Sequence, residues 1–170
     1  MRARFARVRL LCLDVDGVLT DGGLHYTDAG EESKVFCTQD GHALKMLAGT
    51  GVPAAIITGR ETRLVARRAA ELGIEHLYQG VGDKRVALEA LLERTGLAPD
   101  EAAHVGDDIP DLPVLRRVGL AVAPANLHPA LREHVHHVTS ARGGDGAVRE
   151  VCELIMRARG TWADALAAYL

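Results

Sequence analysis

Short apolar runs alternate with amphipathic stretches along the whole chain, and most of the runs end in polar residues. Val8 to Val15 reads as a first strand, Pro53 to Ile57 as a second, Ile74 to Tyr78 as a third and Ala102 to Val105 as a fourth. Leu120 to Ala123 and Val135 to Val138 read as a fifth and a sixth. Between them, Asp40 to Leu47, Glu61 to Leu72 (stopped by Gly73), Asp83 to Thr95 and Asp111 to Val118 carry helical spacing of apolar residues. Ala147 to Arg159 reads as a closing helix and Thr161 to Leu170 as a helical tail. A Thr27-Asp28-Ala29-Gly30 turn between Leu24 and Phe36 predicts a β-hairpin. Strands separated by helices predict an α/β fold, a doubly wound (Rossmann-like), mostly parallel sheet. No repeat or linker divides the chain, so residues 1–170 read as one domain, with a hairpin flap at about 22–37 and a C-terminal tail at about 141–170.

Composition narrows the class. A chain of 170 residues that is 48% hydrophobic can bury a substantial core, and with 4% aromatics that core is built from Ala, Val, Leu and Ile. A net charge of -3 offers no electrostatic case for nucleic acid. No run approaches membrane-spanning length, and the apolar run after the basic start is too short for a signal peptide. Arg2, Arg4, Arg7 and Arg9 read as a solvated tail and strand edge. Cys12, Cys37 and Cys152 have no metal or redox spacing, which fits a reducing compartment and a cytoplasmic protein.

The chemistry starts where the first apolar run stops. Leu13 is followed by Asp14-Val15-Asp16-Gly17, and buried strands do not end in two anions without a reason, because unpaired carboxylates are costly away from water. Residues i and i+2 of a strand share a face, which sets Asp14 and Asp16 side by side and calls for a cation. Thr58 and the Asp107-Asp108 pair end two other predicted strands, so three polar endings fall on the rim where parallel sheets bind ligands. His128, His134, His136 and His137 read as an exposed strand and its flanks rather than a metal site.

Asp14-Val15-Asp16-Gly17-Val18-Leu19-Thr20, Thr58-Gly59-Arg60, Lys84 and Gly106-Asp107-Asp108-Ile109-Pro110-Asp111, in that order, resemble the haloacid dehalogenase superfamily of phosphohydrolases. The resemblance implies a Mg2+ site formed by the Asp14 carboxylate, the Asp16 backbone carbonyl and Asp107. Asp14 is then the nucleophile that forms an aspartyl-phosphate, and Asp16 the general acid, then base. Thr58 donates its hydroxyl to the phosphoryl group, and Lys84 balances nucleophile and phosphate. Asp108 and Asp111 either add charge around the metal or hold Lys84.

Only Asp21 to Gln39 separates the first motif from the next helix, which leaves no room for a large cap domain. Asp40-Gly41, His76-Leu77-Tyr78-Gln79-Gly80 and Gly143-Gly144-Asp145-Gly146-Ala147-Val148-Arg149-Glu150-Val151 sharpen the resemblance. With the motifs above, they are similar to the capless phosphatases of 3-deoxy-D-manno-octulosonate 8-phosphate, on the route to lipopolysaccharide. That family implies a homotetramer in which a hairpin flap and the C-terminal tail complete a neighbour's site. A small-molecule sugar acid phosphate then binds at Thr58, Gly59, Arg60 and Lys84, with Arg60, read as a helix start, gripping the keto-acid carboxylate.

Two segments depart from the pattern: Asp145 stands where many relatives carry a basic residue, and Ala123-Pro124-Ala125-Asn126 replaces an Ala-Asp-Ala pattern. Arg142 and the glycines after it read either as a cover for a neighbour's pocket or as a flexible loop. A nine-carbon nonulosonate 9-phosphate is the alternative substrate. A non-catalytic module of the kind that accompanies sugar cytidylyltransferases is the alternative class, and phosphotransfer to another sugar a third.

Overall fold

The structure is a computed structural model describing residues 1–170. In chain order it contains α1 (Arg2–Arg7), β1 (Leu10–Leu13), β2 (His25–Tyr26), β3 (Glu32–Ser33), α2 (Thr38–Gly49) and β4 (Ala54–Ile57). Next come α3 (Arg63–Leu72), β5 (His76–Tyr78), α4 (Lys84–Thr95), β6 (Ala102–Val105) and α5 (Leu112–Leu115). The chain closes with β7 (Leu120–Ala123), β8 (His137–Val138), α6 (Ala147–Arg159) and α7 (Trp162–Ala167). Six strands form one parallel sheet in the order β5-β4-β1-β6-β7-β8, while β2 and β3 pair antiparallel on their own. The doubly wound α/β expectation holds, and the only insert is the small hairpin.

The strands read as unbroken apolar runs because alternate side chains point to opposite faces and helices cover both faces of the sheet. Leu11 and Leu13 of β1, Ile56 of β4, Val105 of β6 and Val122 of β7 pack with residues of α2, α3 and α6. Leu10 and Cys12, Ala55 and Ile57, Ala102, and Ala121 and Ala123 pack on the other face with α4 and α5. Helix boundaries follow local chemistry. The Thr62 hydroxyl accepts the Val65 N–H at the start of α3, the Asp83 carboxylate accepts the Arg85 N–H at the start of α4, and Gly73 and Gly96 end these helices in the left-handed conformation.

Two expectations change. The arginine-rich start is not a solvated tail: it forms α1, because Phe5 reaches the core, and Arg4 donates to the Gly119 carbonyl at 2.7 Å. The helix expected over Asp111 to Val118 is a single α-helical turn, preceded by a 3-10 turn at Ile109–Asp111 that Asp108 caps. Successive strands β1, β4 and β5 step outward one way, after which the chain crosses back to β6 beside β1. The crevice at the carboxyl end of β1 is therefore the switch point where open α/β sheets bind ligands. No helix is long and apolar enough to cross a membrane.

Candidate active site

At that switch point Asp14, Asp16, Thr58, Gly59, Arg60, Lys84, Asp107, Asp108 and Asp111 line one open pocket of about 350 Å³ with no hydrophobic side chain in its wall. A larger cavity of about 490 Å³ lies between α2 and α7, remote from these residues. The polar pocket holds every residue expected at the site.

Lys84, the first residue of α4, points back across the strand ends and is 5% exposed. Its Nζ lies 2.9 Å from Asp14 Oδ1 and 2.8 Å from Asp111 Oδ1. Burial works against its charge, but Asp111 and Asp14 outweigh that and hold its pKa above the ordinary lysine value. The expectation left open for Asp111 is thereby decided in one direction. Its Oδ1 takes Lys84 and, at 3.0 Å, His104 Nε2, and its Oδ2 accepts the backbone N–H groups of Asp107 and Asp108 at 3.1 and 3.4 Å. Burial opposes the charge of Asp111; the His104 hydrogen bond and the Lys84 ammonium keep its carboxyl well below the usual range.

Asp14, Asp107 and Asp111 each offer an oxygen within 4.8 Å of the others, the one group in the chain suited to a cation. Asp107 Oδ1 is buried without a hydrogen-bond partner. Burial, then the charges of Asp14, Asp111 and Asp108, push the Asp107 carboxyl up to about 7. Burial, then Asp111, also raises Asp14. Three acids share one ammonium here, a deficit of positive charge that a hard divalent cation with oxygen ligands fits. Because Asp111 already spends both oxygens on four donors, Asp14 and Asp107 are the carboxylates left for the ion. Gly17 makes this approach possible: its φ is 86°, and a Cβ there would overlap the Asp107 carboxylate.

Asp14 and Asp16 do not share a strand face. Strand β1 stops at Leu13, and the chain turns before Asp16. Both residues line the pocket, but their carboxylates meet different partners: Asp14 faces Lys84, whereas Asp16 pairs with Lys34 and lies 3.7 Å from Arg60 Nε. Arg60 also differs from expectation. It sits in the turn after β4, three residues before α3 begins, so it is not a helix-start cation. Its Nη2 donates at 3.0 Å to both the Tyr26 hydroxyl and Glu32 Oε1, both on the hairpin. Thr58 is buried, with its backbone tied to Tyr78 and Val81.

Several participants were missed. His104 is a polar residue in an otherwise apolar strand, and that oddity was the available signal. Lys34 and Glu32 carry no local signal; they reach Asp16 and Arg60 only because the hairpin folds back. Asn126, noted as a departure from pattern, bridges two loops: its Nδ2 donates to the Gly17 carbonyl at 2.9 Å and its Oδ1 accepts the Gly143 N–H at 2.7 Å. Gly143 and Gly144 pack on this chain's own loop after β1, with the Gly144 N–H on the Val18 carbonyl at 3.0 Å. A Cβ at Gly143 would overlap the Gly17 carbonyl, which is why the approach needs glycine. His136 Nδ1 accepts the Ala121 N–H and His137 stands edge-on against Phe5; both are half-buried rather than exposed.

A profile of haloacid dehalogenase-like hydrolases matches residues 26–119. The chain is 48% identical over 158 residues, 93% of its length and 84% of the relative's, to the 3-deoxy-D-manno-octulosonate 8-phosphate phosphatase KdsC of Escherichia coli K12. The Moraxella catarrhalis 3-deoxy-D-manno-octulosonate 8-phosphate phosphatase, solved in complex with magnesium, phosphate and KDO, superposes with a TM-score of 0.97 at 40% identity, covering 99% of this chain and 97% of that one. A probable YrbI family phosphatase from Pseudomonas syringae pv. phaseolica gives a TM-score of 0.97 at 51% identity, covering 99% of this chain and 96% of that one.

Proposed function

The chain belongs to the haloacid dehalogenase-like hydrolases, and from that premise we propose that it releases phosphate from 3-deoxy-D-manno-octulosonate 8-phosphate with Mg2+, in the supply of lipopolysaccharide precursors. One observation carries this reading: Lys84 bridges Asp14 and Asp111 beside the partnerless oxygen of Asp107. That is a nucleophile, a fixed cation and a divalent-cation site within a single pocket.

Asp14, the Asp16 carbonyl and Asp107 would hold the Mg2+. When bound, the ion neutralises phosphate charge and lets two anions approach each other. Lys84, already buried and protonated, adds a second fixed positive charge against both Asp14 and the phosphoryl group, with no reorganisation during reaction. Asp14 attacks phosphorus as the bond to the sugar's terminal oxygen breaks, and a carboxyl proton of Asp16 passes to that oxygen. Asp16 then takes a proton from the water that hydrolyses the aspartyl-phosphate. The Thr58 hydroxyl and the Gly59 backbone orient the phosphoryl oxygens. Arg60 supplies a guanidinium for the keto-acid carboxylate.

The working assembly is a homotetramer of single-domain subunits. Leu24, Tyr26 and Val35 on and beside the hairpin are 51%, 59% and 69% exposed, an apolar surface suited to another subunit. A cytoplasmic location is supported by three unpaired cysteines, two of them buried. Phosphate-release assays over sugar phosphates with and without a carboxylate test the function. Mg2+-dependent preference for the eight-carbon keto acid is expected, and EDTA abolishes it. Equal turnover of carboxylate-free sugars would remove the substrate assignment.

A further inference from the structure

Four side chains, two of them in the pocket wall, close a ring of alternating charge. Lys34 pairs with Asp16 Oδ1 and lies 3.5 Å from Glu32 Oε1. The same Glu32 oxygen accepts from Arg60 Nη2 at 3.0 Å, and Arg60 Nε lies 3.7 Å from Asp16 Oδ2. Glu32 Oε1 thus sits between two cations, one of which, Arg60, lines the pocket. The Lys34 side chain is 1% exposed, so the contact is enclosed rather than a loose surface pair.

The donor count on Arg60 sharpens this. Nη2 carries two N–H groups, and Glu32 and the Tyr26 hydroxyl are its two acceptors. Both edges of a guanidinium that grip a carboxylate through two parallel bonds include Nη2. Nε is buried with no hydrogen-bond acceptor. An incoming carboxylate can therefore take Arg60 at two points only if Glu32 or Tyr26 lets go. Glu32 Oε1 already shares both Lys34 and Arg60, so a ligand carboxylate competes with it for the same two cations. Of the two Nη2 acceptors, Glu32 and not the neutral Tyr26 hydroxyl repels an incoming anion.

We propose that Glu32 is a tethered stand-in for the substrate carboxylate, displaced from Arg60 and Lys34 when the keto-acid end of the substrate binds. The proposal rests on the keto-acid reading of the site and names the residue that sets its selectivity. A phosphate ester without a carboxylate has nothing to exchange for Glu32 and leaves the ring closed. A keto acid replaces the charge it removes. Glu32 contacts neither Asp14 nor Lys84, but it shares Lys34 and Arg60 with Asp16, so the competition is read in KM.

The test is steady-state phosphate release with Mg2+ from octulosonate 8-phosphate and from glucose 6-phosphate, using wild type, Glu32→Gln and Glu32→Asp. Glu32→Gln lowers KM for the keto acid about fivefold, the scale of one ion pair with the partly exposed Arg60, and leaves KM for glucose 6-phosphate unmoved. Glu32→Asp keeps the charge but withdraws the oxygen by one methylene, and it lowers the keto-acid KM in the same direction. A keto-acid KM that stays or rises in Glu32→Gln overturns the proposal, as does an equal change on both substrates. An effect of Gln without one of Asp also overturns it, since that is long-range repulsion rather than occupancy. The wild-type arm reads the substrate assignment separately: a wild type indifferent to the carboxylate refutes that assignment, while a preference that appears only in Glu32→Gln still supports the stand-in.

Discussion

Lys84 has two carboxylates within 2.9 Å and almost no water, so its charge survives burial only through Asp14 and Asp111. His104 completes this arrangement from β6, donating its Nε2–H to Asp111 while its Nδ1 has no partner. Replacing His104 with Leu removes one donor from a buried carboxylate and should cost about 2 kcal/mol of stability. It should also lower kcat more than it changes KM, with partial recovery in His104→Gln; urea unfolding and steady-state kinetics read the two effects. Asp107 gives a pH-dependent prediction. Its carboxyl, pushed up to about 7 mainly by burial, binds a proton more tightly folded than unfolded. Its charge therefore costs metal-free stability progressively as pH rises from about 4 to 7. Mg2+ needs the carboxylate, so apparent Mg2+ affinity should climb up to about pH 7 and then level off, with proton release detectable by calorimetry at pH 6. Asp107→Asn should raise the metal-free melting temperature at pH 8 by roughly 3 °C while lowering turnover about 100-fold or more. A lower melting temperature would contradict the assigned charge deficit.

Among the elements, α6 shows how distant segments support the site. Its N-cap is Gly146, which has no side chain to offer, and Asp40 of α2 fills that role across the core by accepting the Arg149 N–H at 2.8 Å. Burial raises the Asp40 pKa despite this and other backbone hydrogen bonds. Asp40→Ala should cost about 1–2 kcal/mol in urea unfolding, whereas Asp40→Asn, which keeps an acceptor, should cost much less. The segment just before α6 is Gly143–Gly144, seated on the loop that carries Asp14 and Asp16, so loosening α6 should also reduce activity. The sheet strands and long helices were legible because strands buried on both faces and helices with caps announce themselves locally. Helix α1 was not, because one phenylalanine in an arginine-rich stretch looks like a tail until the core that receives it is known. The hairpin turn was readable, but its closure over Asp16 depends on long-range ion pairs with no sequence period.

On the scale of the molecule, β1 between β4 and β6 brings Asp14, Thr58, Lys84 and Asp107 to one rim from segments far apart in the chain. Their order and residue types made that set legible in advance. Asp111 was legible only as one of two possibilities, and His104, Lys34, Glu32 and Asn126 were not, since their roles come from contacts rather than from motifs. If the exposed apolar hairpin surface is a subunit contact, light scattering should report a tetramer, and charged substitutions at Leu24 and Val35 should dissociate it without unfolding the subunit. A monomeric wild type would refute that assembly. The central claim is that Asp14 attacks the phosphate of an eight-carbon keto acid with Mg2+ bound. It is tested most directly by the rate of phosphate release from 3-deoxy-D-manno-octulosonate 8-phosphate in wild type and Asp14→Asn, with a nonulosonate 9-phosphate run alongside. The account predicts Mg2+-dependent turnover by wild type, kcat/KM favouring the eight-carbon acid, and no measurable release by a folded Asp14→Asn; turnover undiminished in that variant, or equal or better kcat/KM on the nine-carbon acid, would contradict it.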